Sequence, residues 1–338
     1  MGIFIKPDRL NIGDTIATIS LSGGRAGDPD MAERYAVGKR RLEQAFGLKV
    51  TETSNSMKGS KYLYENPKAR ADDLMEALQN TDIKGIFLNM GGDDGIRLLP
   101  HIDFDVIRNN PKIFIGFSDG DTFHHMFTYA GVISFYGANV LATISEPGEL
   151  NPYTVKWIQK ALFSSDPMGQ IEPCERWTPL DWKSTKADEL IWNDNEGYKV
   201  YQGSGKVKGH IMTGCSGPLH LMQGTCLFPP PDLWKNSIIF LEDGAPYGMK
   251  IAGIHSMRAF AATGMFHHAS ALVLPRLPDD VVEEVILKVL HEEGLKKLPV
   301  FSGVEFTHSN PMTVLPIGVE AEIDLASKTF TVLEAGVK

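Results

Sequence analysis

The chain has 338 residues, 43% of them hydrophobic and 22% charged, with a formal net charge of −9. Such proportions describe a globular protein long enough for two domains, and the acidic balance argues against a general binder of nucleic-acid polymers, which needs a basic surface. No apolar run approaches the length of a membrane span, the N-terminus lacks the apolar stretch of a secretory signal, and Lys6 stands where a myristoylation signal has Ser or Thr. In chain order, Asp14–Ser20 (DTIATIS) predicts a strand with Ser22-Gly23-Gly24 as its loop. Asp28-Pro29 predicts a helix start, with Asp28 as cap and Met31, Tyr35, Leu42 and Phe46 on one face before Gly47. A strand at Lys49–Glu52, a helix from Asn66-Pro67 and a buried strand at Ile83–Leu88 follow, the last ending in the loop NMGGDD (89–94). Ile113–Gly116 predicts the next strand, Thr122–Tyr129 a helix and Val132–Tyr136 another strand.

Strands alternating with helices predict an α/β fold with a parallel sheet covered on both faces. Functional groups in such sheets gather at the C-terminal ends of strands, where Gly23-Gly24, Gly91-Gly92 and Ser118 all fall. From about Pro167 to Gly205 the periodicity disappears and Trp177, Trp182 and Trp192 lie among polar residues, which predicts a connector between domains. The second half reads as richer in β, with strands at Lys206–Met212, Ser237–Glu242, Ala271–Leu274, Val314–Ile317, Glu320–Asp324 and Thr329–Leu333. Pro278-Asp279-Asp280 opens one helix there, its apolar side Val282, Val285, Ile286, Val289 and Leu290, and Gly294 ends it.

The stretch Gly116-Phe117-Ser118-Asp119-Gly120 spells G-x-S-x-G, a strand-to-helix elbow that exposes a serine hydroxyl. The ordinary alternative is a serine that merely caps a helix. A nucleophile needs a base, and the base needs an orienting acceptor. Of ten histidines, His308 has the sharpest setting, a polar turn directly before an apolar strand; the alternative is a loop histidine bonded to backbone. Strand 237–242 ends in Glu242-Asp243, and alternation along the strand favours Glu242 as the orienter. An oxyanion hole draws on backbone amides, here Asp119 and the Gly91-Gly92 loop. The three cysteines show no CxxC pair and no metal-ligand spacing appears, so reduced thiols, no metal and no cofactor are expected.

These residues occur in longer stretches: GDTIATISLSGG (13–24), LNMGGDDGIRLLPHIDFD (88–105), KIFIGFSDGDT (112–122), ERWTPLDW (175–182), GSGKVKGHIMTG (203–214), SIIFLEDG (237–244) and THSNPMTVLPIG (307–318). Through them the chain resembles the LD-carboxypeptidase family of serine peptidases, and within it the microcin C immunity branch. The resemblance implies a Rossmann-like N-terminal domain (1–166), a connector (167–205) and a mostly β C-terminal domain (206–338). It also implies a cytoplasmic homodimer. Carried over by motif, Ser118 is the nucleophile, Glu242 the orienter and His308 the base, with Gly92 and Asp119 donating to the oxyanion. The expected substrate is a small peptide or peptide–nucleotide conjugate, touched by Gly91, Trp177, Trp182 and Cys215. Two positions depart from the family pattern: Met90-Gly91-Gly92 replaces Arg-Gly-Gly, and Thr213-Gly214-Cys215-Ser216 replaces Gly-Gly-Asn-Leu. A muramoyltetrapeptide carboxypeptidase, an ordinary α/β-hydrolase esterase and a catalytically inert binding scaffold are the alternatives.

Overall fold

The computed structural model describes residues 4–180, 186–242 and 250–338. Two sheets dominate it. In the first half lie β1 (Thr15–Ile19), β2 (Lys49–Glu52), β3 (Ile83–Leu88), β4 (Ile113–Gly116) and β5 (Phe135–Tyr136). The connector supplies β6 (Gly169–Ile171), β7 (Arg176–Pro179), β8 (Asn193–Asp194) and β9 (Lys199–Gln202). The second half adds β10 (Lys206–Cys215), β11 (Ser237–Glu242), β12 (Ala271–Leu274), β13 (Val300–Ser302), β14 (Ser309–Asn310), β15 (Leu315–Pro316), β16 (Glu320–Asp324) and β17 (Thr329–Val332).

The first sheet runs β15-β5-β4-β3-β1-β2. Its five N-terminal strands pair in parallel, with Ile19 opposite Leu88 and Ile86 opposite Phe114. Helices over Ala32–Phe46, Pro67–Gln79 and Gly120–Ala130 connect them. Ile86, Phe87, Leu88, Phe114 and Ile115 are buried, as strands covered on both faces must be. The second sheet, β6-β17-β16-β10-β11-β12-β13-β9, is parallel from β10 to β13 and antiparallel at its flanks. A small third sheet joins β14, β7 and β8.

Several expectations change in detail. Residues 29–31 form a 3₁₀ turn and the α-helix starts at Ala32. Asp28 does not cap it; its carboxylate accepts from the backbone N–H and hydroxyl of Ser60. Gly27 lies so close to the Met57 carbonyl that a Cβ there would sit 2.4 Å away, and this contact brings Asp28 to the 59–60 backbone. A short helix at Gly59–Glu65 had no sequence signal. The strand expected over Val132–Tyr136 is only Phe135–Tyr136, because Val132 forms a lone bridge with Ile5. Leu315–Pro316, from the far end of the chain, pairs antiparallel with β5 and completes the first sheet. The segment 167–205 is not patternless: its four strands are short, β7 and β8 pair with each other, and β6, β7 and β9 take partners from distant segments.

Candidate active site

The elbow is built by close packing. Ser118 has φ 65°, the left-handed region that a residue with a Cβ occupies at a cost. The flanking glycines serve close packing. A Cβ on Gly116 would lie 2.7 Å from Leu88 Cβ, and one on Gly120 would lie 2.9 Å from Leu88 Cδ2. They let the elbow sit down on β3, while Ser118 itself takes the strained dihedral. Gly91 meets the serine from the other side, where a Cβ would fall 2.7 Å from Ser118 Cβ and 2.9 Å from Oγ.

Three side chains form one line. His308 Nε2 lies 3.0 Å from Ser118 Oγ, and His308 Nδ1 lies 3.1 Å from Glu242 Oε2. Ser118 belongs to the turn after β4, Glu242 ends β11, and His308 follows β13, so the line crosses from one sheet to the other. The distances suit proton transfer from serine to imidazole, with the carboxylate holding the ring. The His308 ring also packs edge-on against Phe117, centroids 5.2 Å apart. Thr307 donates its hydroxyl to the same Glu242 oxygen, and Tyr136 donates its phenol to the other. Asp243, the other carboxylate of that strand end, lies outside the described residues.

Asp119 does more than follow the serine. Its buried carboxylate accepts from the Ser22 hydroxyl, from Gly95 N–H at 2.8 Å and from the Thr122 hydroxyl at 3.2 Å. It thereby joins the loops after β1, β3 and β4. Burial pushes this carboxyl above its ordinary range. Arg70, fully buried, forks onto Asp94 at 2.7 and 3.0 Å and donates to the carbonyls of Leu21 and Ser22. The Gly91 carbonyl accepts from Gly23 N–H at 2.9 Å. The Gly91-Gly92 loop is thus fastened beside the serine by charges and backbone bonds together.

The elbow helix also docks on the second sheet. Asp121, fully buried, accepts from the Thr213 hydroxyl at 2.8 Å and from Cys215 N–H at 2.9 Å, with His125 Nε2 at 3.4 Å. Burial alone would raise Asp121, but His125 and these donors hold it below the usual carboxylate range. Cys215 is buried and stands in register with Glu242 on the neighbouring strand. His124 bridges the Gly116 carbonyl and the Ser134 hydroxyl; burial lowers it to about 4, so it is neutral at physiological pH.

Ser118, Glu242, His308, Gly91 and Asp119 therefore meet. Trp177 lies on β7, whose neighbour Thr178 pairs with Asn310, and Leu180 N–H donates to the His308 carbonyl. Its ring carries the Arg276 guanidinium 4.6 Å from the centroid and lines a cavity of about 450 Å³ with Asn193, Asn195, Lys199 and Asp279. Trp182 lies outside the described residues. Sequence reasoning missed Tyr136, Thr307, Arg70 and the Asp119 side chain. For Thr307 the adjacency to His308 was a usable signal; the others depend on contacts across 18 to 106 residues. Among the described residues no group of three or more His, Cys, Asp or Glu is placed to hold a metal ion, and no helix is long and apolar enough to cross a membrane.

Residues 16–137 match the N-terminal domain, and residues 208–323 the C-terminal domain, of LD-carboxypeptidases. The chain belongs to the LD-carboxypeptidase family. As a member it is a serine peptidase, and its α/β architecture of two sheets is the family's. The microcin C7 self-immunity protein MccF of Escherichia coli is 29% identical, over 96% of this chain and 94% of its own length. A Bacillus subtilis (strain 168) protein called "Probable murein peptide carboxypeptidase" is 28% identical over 98% and 95%. Among solved structures, MccF in complex with aspartyl sulfamoyl adenosine superposes with a TM-score of 0.86 at 26% identity, covering 99% of this chain and 100% of that one. An MccF-like protein from Streptococcus pneumoniae in complex with AMP gives 0.85 at 26% identity, over 95% and 98%.

Proposed function

We propose that Ser118 is the nucleophile of this LD-carboxypeptidase family member, His308 its general base and Glu242 the group that holds the imidazole. The observation that carries the reading is the Ser118–His308–Glu242 line, 3.0 and 3.1 Å between heavy atoms, with the serine on a left-handed turn. Ser118 Oγ attacks the scissile carbonyl as His308 Nε2 takes its proton. The tetrahedral intermediate expels the amine, which receives that proton, and leaves an acyl-enzyme. Water, deprotonated by His308, then releases the acid. The N–H groups of Gly92 and Asp119 hold the oxyanion. Within the turn, the amides of Phe117, Ser118, Gly120, Asp121 and Thr122 each donate to a partner. That leaves Asp119 N–H, beside Gly91, as the turn's free donor among the described residues, which supports its role.

The substrate in this reading is a small peptide or a peptide–nucleotide conjugate. Support comes from the MccF structures, whose ligands include aspartyl sulfamoyl adenosine and AMP, and from Met90 in place of a cation. The murein-peptide alternative rests on the Bacillus subtilis relative. Gly91, Trp177, Trp182 and Cys215 are the proposed contacts. The segments 16–137 and 208–323 support a division into domains 1–166 and 206–338 joined by 167–205. The cytoplasmic homodimer of this reading rests on family membership.

Ser118→Ala tests the mechanism. Its activity should fall by about 10⁶-fold, the scale of removing a triad nucleophile, with labelling by a fluorophosphonate probe abolished and the far-ultraviolet circular dichroism unchanged. A folded variant that keeps a tenth of the wild-type rate overturns the assignment.

A further inference from the structure

We propose that Tyr136 is a positioning residue that fixes the distance between the nucleophile turn and the acid across the junction of the two sheets. The inference rests on the Ser118–His308–Glu242 reading. Tyr136 ends β5 of the first sheet and is fully buried. Its ring is boxed in by Phe117, His124 and Phe306, with centroids 6.5, 5.5 and 6.4 Å away. The phenol oxygen accepts the backbone N–H of Ser118 at 3.2 Å and donates to Glu242 Oε1.

The direction of these bonds is forced. A backbone N–H only donates, so the single phenol proton is directed to the carboxylate. Burial, reinforced by the Glu242 charge, holds the phenol well above its ordinary range and keeps that proton in place. Glu242 is therefore divided between two bodies. Oε1 is bound to the first sheet through Tyr136, and Oε2 to the His308 loop through Thr307 and His308. The strained Ser118 turn is fastened to the same phenol. One hydroxyl thus sets where the serine sits and where the base's partner sits, although it touches neither substrate nor the reacting atoms.

The prediction concerns kcat. Tyr136→Phe removes the link with the ring retained. A misplacement of about 1 Å at a reacting centre costs roughly 10²-fold, so kcat should fall by about that factor while KM stays within about threefold. If Tyr136 acts through Glu242, the effect is non-additive: in a Glu242→Ala background, where the side-chain acceptor of the phenol is gone, Tyr136→Phe should lower kcat by less than about threefold. Equal losses in both backgrounds, a change confined to KM, or a wild-type kcat overturn the proposal. A second variant covers a Phe enzyme that does not fold. 4-Aminophenylalanine at position 136 keeps a donor and a lone pair in place and should hold kcat within about tenfold of wild type; a folded enzyme of this kind that loses roughly 10²-fold overturns the proposal. Ser118→Ala in the same assay separates the two readings. If it stays active, the underlying mechanism fails; if it is inactive while Tyr136→Phe matches wild type, only this inference fails.

Discussion

Gly91 and Glu146 show how single residues set limits on this enzyme. Gly91 faces the proposed nucleophile so closely that a methyl group there would sit 2.7 Å from Ser118 Cβ. Neither side can yield easily, because Ser118 is held by Tyr136 and Gly91 by Gly23. Gly91→Ala should therefore cost about 1–3 kcal/mol of stability, as overpacking does, and roughly 10²-fold in kcat by displacing the serine. Urea unfolding and steady-state kinetics check the two halves. Glu146 is buried, with Oε2 lacking a hydrogen-bond partner among the described residues and Oε1 accepting from Asn151 N–H. Burial raises its carboxyl from 4.5 to about 7. Between those pH values the folded chain binds the proton that the unfolded chain has lost, so stability falls as pH rises through 7. Glu146→Gln should remove that loss, on the order of 3 kcal/mol. The variant is then more stable than wild type at pH 8 and similar at pH 4.5. Equal stability of the two proteins at pH 8 in urea would contradict this account.

At the scale of elements, the contact between the helix Gly120–Ala130 and strand β10 joins the two sheets. Asp121 makes it, as the acceptor for Thr213 and Cys215. In Asp121→Ala both oxygens are lost, which removes the acceptor of the buried Thr213 hydroxyl and of the Cys215 N–H. The expected cost is about 1–3 kcal/mol, with kcat lowered because Ser118 lies at the head of that helix; thermal unfolding together with kcat measures both. The elements themselves were legible where burial is continuous: β1, β3, β4 and β11 are apolar runs that need no partner to be recognised. The connector was not legible, since β7 and β8 are two to four residues long and exist only by pairing with each other and with Ser309–Asn310. Asp28 misled for a related reason: Asp-Pro is a sound helix start, but the Gly27 contact with 57–59 gave its carboxylate a better partner. Ser118, Glu242 and His308 were readable because each sits in a distinctive local pattern. Tyr136 was invisible because a tyrosine inside an apolar strand looks like core until its hydroxyl's two partners, from the turn after β4 and the end of β11, are in place.

On the scale of the whole molecule, substrate choice follows from what surrounds the junction. Beside the proposed oxyanion loop the chain offers Met90, half-buried against Gly23, where a cation could grip a free carboxylate bidentately. On the connector it offers Trp177, one ring face of which is covered by Arg276, itself fixed to buried Glu305 at 2.9 Å. Leu180, directly after that strand, donates its N–H to the His308 carbonyl, which ties the strand to the histidine's loop. A guanidinium-backed indole suits a flat base better than an acyl chain; stacking of this kind is worth about 1–3 kcal/mol per base. Loss of a charged carboxylate contact costs about 1.5–3 kcal/mol. The two effects act in the same direction. Peptide–nucleotide conjugates should therefore exceed the LD-linked murein tetrapeptide in kcat/KM by roughly 10-fold or more, taking 1.4 kcal/mol per decade. Trp177→Ala should lower the conjugate's kcat/KM by about tenfold and leave the tetrapeptide's unchanged, while Met90→Arg should raise only the tetrapeptide's. Both substrates are to be assayed on one enzyme preparation. Faster cleavage of the tetrapeptide, with Trp177→Ala silent on the conjugate, would assign the enzyme to murein peptides instead.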